Sequence, residues 1–219
     1  MSHDRNTNAS VDASPTVDTD PGHLVIRPKM LYVGTPVFLV TTVNADGTFN
    51  LAPASSYWAL GQMLVLGLET DGQSAQNVLE RPELAVSFPH PELWPAVERL
   101  AAVTGRHPVP AAKARAYRHA SDKLEVSGLS FQASDLVAPP RVRECRLQFE
   151  AEVRRATRGL GEYLMVEAEV VRVHADPAIV VPGTDHIDPR SWHPTIYNFR
   201  HYFDIGEEVG WRSTSDTAD

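Results

Sequence analysis

From Arg143 to Arg154 the chain alternates without a break. Cys145, Leu147, Phe149, Ala151 and Val153 are interleaved with Glu144, Arg146, Gln148, Glu150, Glu152 and Arg154. A period of two predicts a strand with one face in a core and the other in water. Tyr163–His174 is its expected hairpin partner, reached through Arg158-Gly159-Leu160-Gly161. The alternation of this second strand changes phase near Val170-Val171, which predicts a bulge of the kind that bends a sheet toward a barrel.

Shorter strands are expected earlier. Val37–Val43 is β-branched and apolar enough for a buried strand. Asn44-Ala45-Asp46-Gly47 is a hairpin turn, because glycine accepts positive φ without a Cβ clash. Thr48–Ala52 returns as its partner, and Met63–Glu69 and Leu84–Phe88 follow. Helices are expected at Ser74–Glu80, stopped before Pro82. A second is expected at Leu93–Thr104, with Trp94, Val97, Leu100, Ala101 and Thr104 on one face and Gly105 just beyond its end. A third is expected at Pro110–Ala120. Strands on either side of a helical middle predict a mainly β chain, a barrel with a few inserted helices, and not a parallel α/β sheet.

The composition narrows the function classes. With 20 Lys and Arg against 28 Asp and Glu, the net charge is −8, which argues against nucleic acid as the main partner. Cys145 is the one cysteine, so no internal disulfide or CxxC site exists, and a reducing cytoplasm is the expected location. No secretory leader or membrane span is read, and no membrane partner is expected. Residues 1–22 and 213–219 have the composition of disordered tails, leaving 23–212 as one domain.

Two segments carry candidate chemistry. In Asn50-Leu51-Ala52-Pro53-Ala54-Ser55-Ser56-Tyr57-Trp58 a strand runs into small residues and then two aromatics. Small side chains let a flat ligand approach the backbone, and Tyr57 or Trp58 could wall one ring face. The same residues also read as a wide barrel turn with an aromatic core plug, and taken alone that reading is favoured. In Asp71-Gly72-Gln73-Ser74-Ala75-Gln76-Asn77 a helix start offers amides and hydroxyl to an anion, with Asn77 one turn on. A plain N-cap at Asp71 or Ser74 explains the segment equally well.

Along the chain VFLVTTVNADGTFNLAPASSYW, LVLGLETDGQSAQNVLE and LAVSFP are followed by DKLEVSGLS, SDLVAPPRVRECRLQFEAEV, MVEAEVVRVHAD and IYNFRHYFDIG. In this order they resemble the flavin reductase-like, FMN-binding split-barrel family, flavoredoxin-type. The series covers about Pro36 to Gly206. The resemblance implies a split β-barrel binding FMN, less readily FAD, without covalent attachment. It implies a homodimer with the flavin near the subunit interface. On these residues it implies a ring against the backbone of Ala54, Ser55, Ser56, Tyr57 and Trp58, in the loop opened by Asn50. It implies a phosphate at Ser74 and Asn77, and Thr41 and Thr42 at the strand end beside the flavin. Lys123 is the candidate cation for the phosphate.

The implied activity is transfer of reducing equivalents from NAD(P)H to flavin or to another small-molecule or protein acceptor. The alternative is an FMN-binding electron carrier with no nicotinamide site of its own, and a third class is a noncatalytic barrel holding another planar ligand. A flavin supplies its own redox chemistry, so no catalytic nucleophile is expected, and Cys145 is read as core. His174, His186, His193 and His201 with Asp185 and Asp188 lack metal-ligand spacing, so no metal is expected. Phe199-Arg200-His201-Tyr202-Phe203 reads equally as part of a pocket or as a terminal aromatic plug or dimer contact.

Overall fold

The computed structural model describes residues 22–211. The tails expected at 1–22 and 213–219 lie outside the described residues, Gly22 excepted. By internal contacts the chain divides after Met30. Residues 22–30 carry no helix or strand, and every element below belongs to the unit that begins at Leu31.

Seven strands form one antiparallel sheet: β1 (Phe38–Val43), β2 (Phe49–Ala54), β3 (Tyr57–Leu60), β4 (Met63–Glu69), β5 (Glu83–Phe88), β6 (Leu147–Arg158) and β7 (Tyr163–Ala175). Their order is β2-β1-β5-β6-β7-β4-β3. The two outermost strands, β2 and β3, are consecutive in the chain, with only Ser55-Ser56 between them. From Ala54 to Tyr57 the backbone spans at most about 11 Å. The sheet must therefore curl until its two edges lie side by side, which makes it a barrel with one seam, the split barrel expected.

The curl is visible in the long hairpin. Glu150 faces Arg172 while Ala151 faces Val170, so Val171 has no opposite residue, the bulge expected at that place. Arg154 is likewise skipped between Val153↔Ala168 and Arg155↔Glu167.

β1 is buried from Phe38 through Thr42, because both of its faces are covered. Phe38 and Val40 join Leu64, Leu66, Leu84, Val86, Leu164 and Val166 inside the barrel. Val37 and Leu39 join Leu51, Val97, Leu100, Val142 and Cys145 on the other side. There the sheet is covered by α2 (Trp94–Ala101) and α3 (Lys123–Ser127), while α1 (Gln73–Glu80) follows β4. A small sheet of Thr35–Pro36, Ile196–Asn198 and His201–Phe203 reverses through Phe199 and Arg200, at φ of 44° and 75°.

Several expectations are corrected. The strand expected from Arg143 begins only at Leu147, because Arg143-Glu144 form a turn and the Glu144 carboxylate accepts from the Ser130 amide and hydroxyl. Its polar face is in water only at one end: Arg154 is exposed and Glu152 partly so, whereas Gln148 is 3% and Glu150 0% exposed. The 133–142 segment covers that face and brings donors with it. Glu150 accepts from the Asp135 amide at 2.8 Å and the Leu136 amide at 2.6 Å, and it meets His174 Nε2 at 2.6 Å and Arg141 Nε at 3.6 Å. Burial alone would raise this carboxyl, but those donors outweigh it and hold it below the ordinary carboxylate range.

The helix expected through Thr104 ends at Ala101, and Val103–Thr104 pair in parallel with Arg118–His119, so Gly105 does not cap it. Within Pro110–Ala120, residues 111–116 form turns and no helix, since Ala111, Ala112, Ala114 and Ala116 are exposed and no apolar stripe docks. β3 and α3 are additional elements. Among the described residues no helix is long and apolar enough to cross a membrane.

Candidate functional site

At the seam β2 pairs with β1 as far as Ala54, opposite Phe38, and a cleft of about 240 Å³ opens beside its last residues. Its walls come from β2, Ser55-Ser56, the end of β4, the start of α1, the segment after α2, and Lys123 on α3.

At the serines the chain passes very close to β4. The Gly67 amide donates to the Ser56 carbonyl at 3.0 Å, and a Cβ on Gly67 would lie 2.9 Å from Ser56 Cβ. Tyr32 Oη lies 2.8 Å from Ser56 Oγ. The small residues of β2 and the missing side chain at Gly67 leave backbone exposed to the cleft.

At the start of α1 the polar groups are arranged differently. Gly72 is the N-cap residue, without a side-chain cap bond, and the first turn holds no acidic residue. The amides that open the helix are therefore left to other acceptors. Neither Asp71 nor Ser74 caps the helix, which corrects the plain-cap reading. Ser74 lies on the cleft wall, 6% exposed, and its Oγ accepts from Asn50 Nδ2 at 2.9 Å. An oxygen taken in this way still has a hydrogen to donate. Gly105 lets Asn50 pass, since a Cβ there would run into Asn50 Oδ1.

Lys123 is 3% exposed and lines the same cleft. Burial, and after it the charge of Arg118, pushes its pKa down to about 8, with no carboxylate acting in the opposite sense. Lys113, the other lysine on the wall, pairs with Glu69 and with Asp71 at 2.6 Å. Burial alone would lower the Lys113 pKa, but the hydrogen bonds to Asp71 and Glu69 raise it.

Of the residues singled out in the sequence, Asn50, Ala54, Ser55, Ser56, Ser74 and Lys123 meet at this cleft. The others lie elsewhere. Asn77 is fully buried: its Nδ2 donates to Thr42 Oγ1 and Asn44 Oδ1, both at 2.9 Å, and its Oδ1 accepts from Gln73 Nε2 at 2.8 Å. It ties α1 to β1 and its turn. Thr41 is buried with its hydroxyl unpartnered. Tyr57 packs between Phe38 and Phe88 in the core, and Trp58 is 54% exposed on edge strand β3. Neither Arg200 nor His201 is on the cleft wall, whereas Tyr202 and Tyr197 pack against the second core cluster.

Tyr32, Gly67, Gln73, Gly105, Lys113 and Tyr117 also line the cleft. Only Gly67 left a signal in the sequence, a glycine inside an apolar strand, which marks close backbone approach.

A second polar cluster lies apart from the cleft. Asp135, Glu150 and His174 are the residues grouped closely enough for a metal, among those described. Arg172 already holds Asp135 at 2.7 Å, and Arg141 faces Glu150, so the carboxylates are neutralised by cations of the chain itself. Of the four histidines weighed in the sequence, only His174 belongs to this group.

Residues 30–206 match the model of the flavin reductase like domain. The chain is 40% identical over 195 residues to the uncharacterized protein YdfE of Bacillus subtilis (strain 168), covering 88% of this chain and 94% of that protein. Among solved structures it resembles the flavoredoxin of Desulfovibrio vulgaris (Miyazaki F), with a TM-score of 0.69 and 18% identity over 92% of this chain and 99% of that one. It resembles the flavoredoxin of Methanosarcina acetivorans with a TM-score of 0.70 and 16% identity, over 89% and 96%. It also resembles the 2-nitrobenzoate 2-nitroreductase NbaA of Pseudomonas fluorescens, at 0.68 and 16%, over 84% and 87%. At such identities these structures show the fold alone.

Proposed function

The chain belongs to the flavin reductase like family, and on that basis we propose that it binds FMN noncovalently in the seam cleft and passes reducing equivalents from NAD(P)H to flavin or another acceptor. The observation that carries the proposal is Lys123: a buried ammonium on the cleft wall with no carboxylate to pair with. A buried cation is costly unless an anion joins it. The open first turn of α1 and the Ser74 hydroxyl supply neutral donors of the kind a phosphate ester takes. The burial of Lys123 favours a terminal monophosphate, hence FMN over FAD, whose second phosphate and adenosine need space beyond the first.

The ring would lie along Ala54, Ser55 and Ser56, where the chain offers backbone polar groups and little side-chain bulk. Tyr32 and Tyr117 are the aromatic side chains on the wall. Asn77 acts one step back, bracing α1 so that its first turn stays aimed. When bound, the flavin supplies hydride acceptance and electron transfer, so the protein needs to position it and needs no nucleophile. Cys145 fits that account, being 2% exposed in the second core cluster, where burial pushes its thiol pKa up.

One observation favours the second reading, a flavoredoxin-like electron carrier without a nicotinamide site. The cations on the cleft wall are Lys123, assigned here to the FMN phosphate, and Lys113, held by two carboxylates. No further cation on this wall awaits a nicotinamide dinucleotide. Anaerobic stopped-flow mixing of the FMN-loaded protein with NADH and NADPH tests the choice. Bleaching of flavin absorbance near 450 nm (roughly where flavins absorb) by either nucleotide supports the reductase, and no bleaching supports the carrier. A protein that takes up no flavin defeats both.

A homodimer is part of the proposal. Trp58 and Leu60, 54% and 71% exposed, lie on the outer face of β3 opposite Val65 and Met63 of β4, and Glu167 and Glu169 of β7, paired with Arg155 and Arg154, form its polar rim. Such an apolar patch suits a second copy of the chain.

A further inference from the structure

We propose that residues 105–117 form a lid over the cleft, latched by Lys113 between Glu69 and Asp71, and that this latch sets how fast a bound flavin leaves. The proposal rests on the flavin reading given above, but the latch is a property of the chain itself.

The segment leaves and returns at one place. Thr104 pairs with His119 in a short parallel ladder, and the Ala120 amide donates to the Thr104 carbonyl at 3.0 Å. Between these ends the chain makes a compact excursion of the Ω-loop kind, turned upon itself through Lys113 N–H to Pro110 O at 2.8 Å and Tyr117 N–H to Lys113 O at 2.9 Å. None of its residues is buried, so it has no hydrophobic anchor of its own. Two of its side chains, Lys113 and Tyr117, nevertheless form part of the cleft wall.

What holds the far side of the loop is electrostatic. The Lys113 side chain is 13% exposed, and its ammonium sits between the carboxylates of Glu69, at the end of β4, and Asp71, in the turn before α1. Both acids stand at the entry to the helix whose first turn is proposed to meet the phosphate. The same ammonium lies 5.8 Å from the Tyr117 ring, so the ion pair also fixes an aromatic on the wall. A loop with weak packing and one charged clasp is drawn from the low-stability end of a fold, where gates are found. Opening requires Lys113 to leave both acids, and salt weakens such a clasp.

The test uses Lys113→Met, which keeps the alkyl stem and removes the charge, with Glu69→Gln/Asp71→Asn as a second route to the same break. Limited trypsin digestion of the flavin-free protein reads the loop directly, since Arg115 lies within it. Cleavage at Arg115 should quicken about tenfold in both variants, the scale of a charge-assisted contact. Displacement of FMN from the loaded proteins by stopped-flow fluorescence should show a dissociation rate raised by a similar factor, and raised by salt in the wild type only. Unchanged Arg115 cleavage in both variants overturns the latch, as does faster cleavage with an unchanged FMN dissociation rate. If the variants open the loop but no variant or wild type binds FMN, the control of flavin release is overturned together with the flavin reading, and that result differs from either of the first two.

Discussion

Asn50 Nδ2 donates to Ser74 Oγ at 2.9 Å, joining β2 to the first turn of α1 across 24 residues of sequence. Because the bond takes the hydroxyl oxygen, it turns the Ser74 hydrogen toward whatever acceptor occupies the cleft. Ser74→Ala should therefore weaken FMN by about 1.5–3 kcal/mol, the scale of a hydrogen bond to a charged acceptor. Riboflavin, which lacks the phosphate, should lose little. Dissociation constants for both ligands with wild type and variant check this, and equal losses would assign Ser74 to helix structure only.

Lys123 adds a pH dependence. Its pKa in the folded, flavin-free protein is about 8, against an ordinary 10.5. Between these values the unfolded chain binds more protons, so the stability of the flavin-free protein should rise with pH across that window. FMN affinity should move the other way, falling as pH passes 8 and the ammonium is lost, while riboflavin affinity stays level. In Lys123→Met the FMN profile should flatten. Titrations from pH 7 to 9 with both ligands would show it.

Gly67 is fixed by distance and not by backbone angle. A methyl there would stand 2.9 Å from Ser56 Cβ and 3.3 Å from Ser56 Oγ. Gly67→Ala should cost about 1–3 kcal/mol through overpacking and lower the melting temperature. Adding Ser56→Gly removes the opposing atoms, so the double variant should recover much of that loss. A double variant that melts no higher than Gly67→Ala would place the strain elsewhere.

Glu150 holds the 133–137 loop through backbone amides while facing Arg141 and His174. Glu150→Gln leaves Arg141 without its counter-charge, and about 3–5 kcal/mol of stability should be lost. Since the folded carboxyl titrates below its ordinary value, its contribution is present above the unfolded pKa and disappears as pH falls through the folded one. Urea melts between pH 3 and 7 should decline toward acid in the wild type and decline less in the variant.

For the dimer, Trp58→Asp/Leu60→Asp places two charges on the outer face of β3. Light scattering at micromolar concentration should report a dimer for the wild type and a monomer for the variant. A wild type that is monomeric throughout removes the proposal.

Much of this architecture was legible because it is local. The apolar run of β1, the Asp46-Gly47 turn and the phase change at Val170-Val171 each follow from a few neighbouring residues. Asn50, Ser74 and Asn77 stood out within their own segments, and Lys123 was named only beside the resemblance to a family. The role of Asn77 as a brace depends on Thr42 and Asn44, over thirty residues away. The alternation at Gln148 and Glu150 misled for a related reason. A polar residue at a regular interval says which face it occupies, but not whether another segment will cover that face and satisfy it. Alanine-rich Pro110–Ala120 had helical propensity, but propensity without an apolar stripe gives a short helix nothing to dock against.

The join at Ser55-Ser56 has a consequence for where new function could arise in such a chain. On an edge strand every second residue directs its amide and carbonyl outward, and in most sheets these groups are a hazard that must be hidden. Here the two edge strands are joined through Ser55-Ser56, and the cleft opens beside that join. The opening is built into the topology, so the loop residues along it, unlike Gly67 and Gly105, can be exchanged without rebuilding the rest of the barrel. Loop substitutions around one inherited slot can thus redirect what enters, while the hairpins on either side go on folding as before.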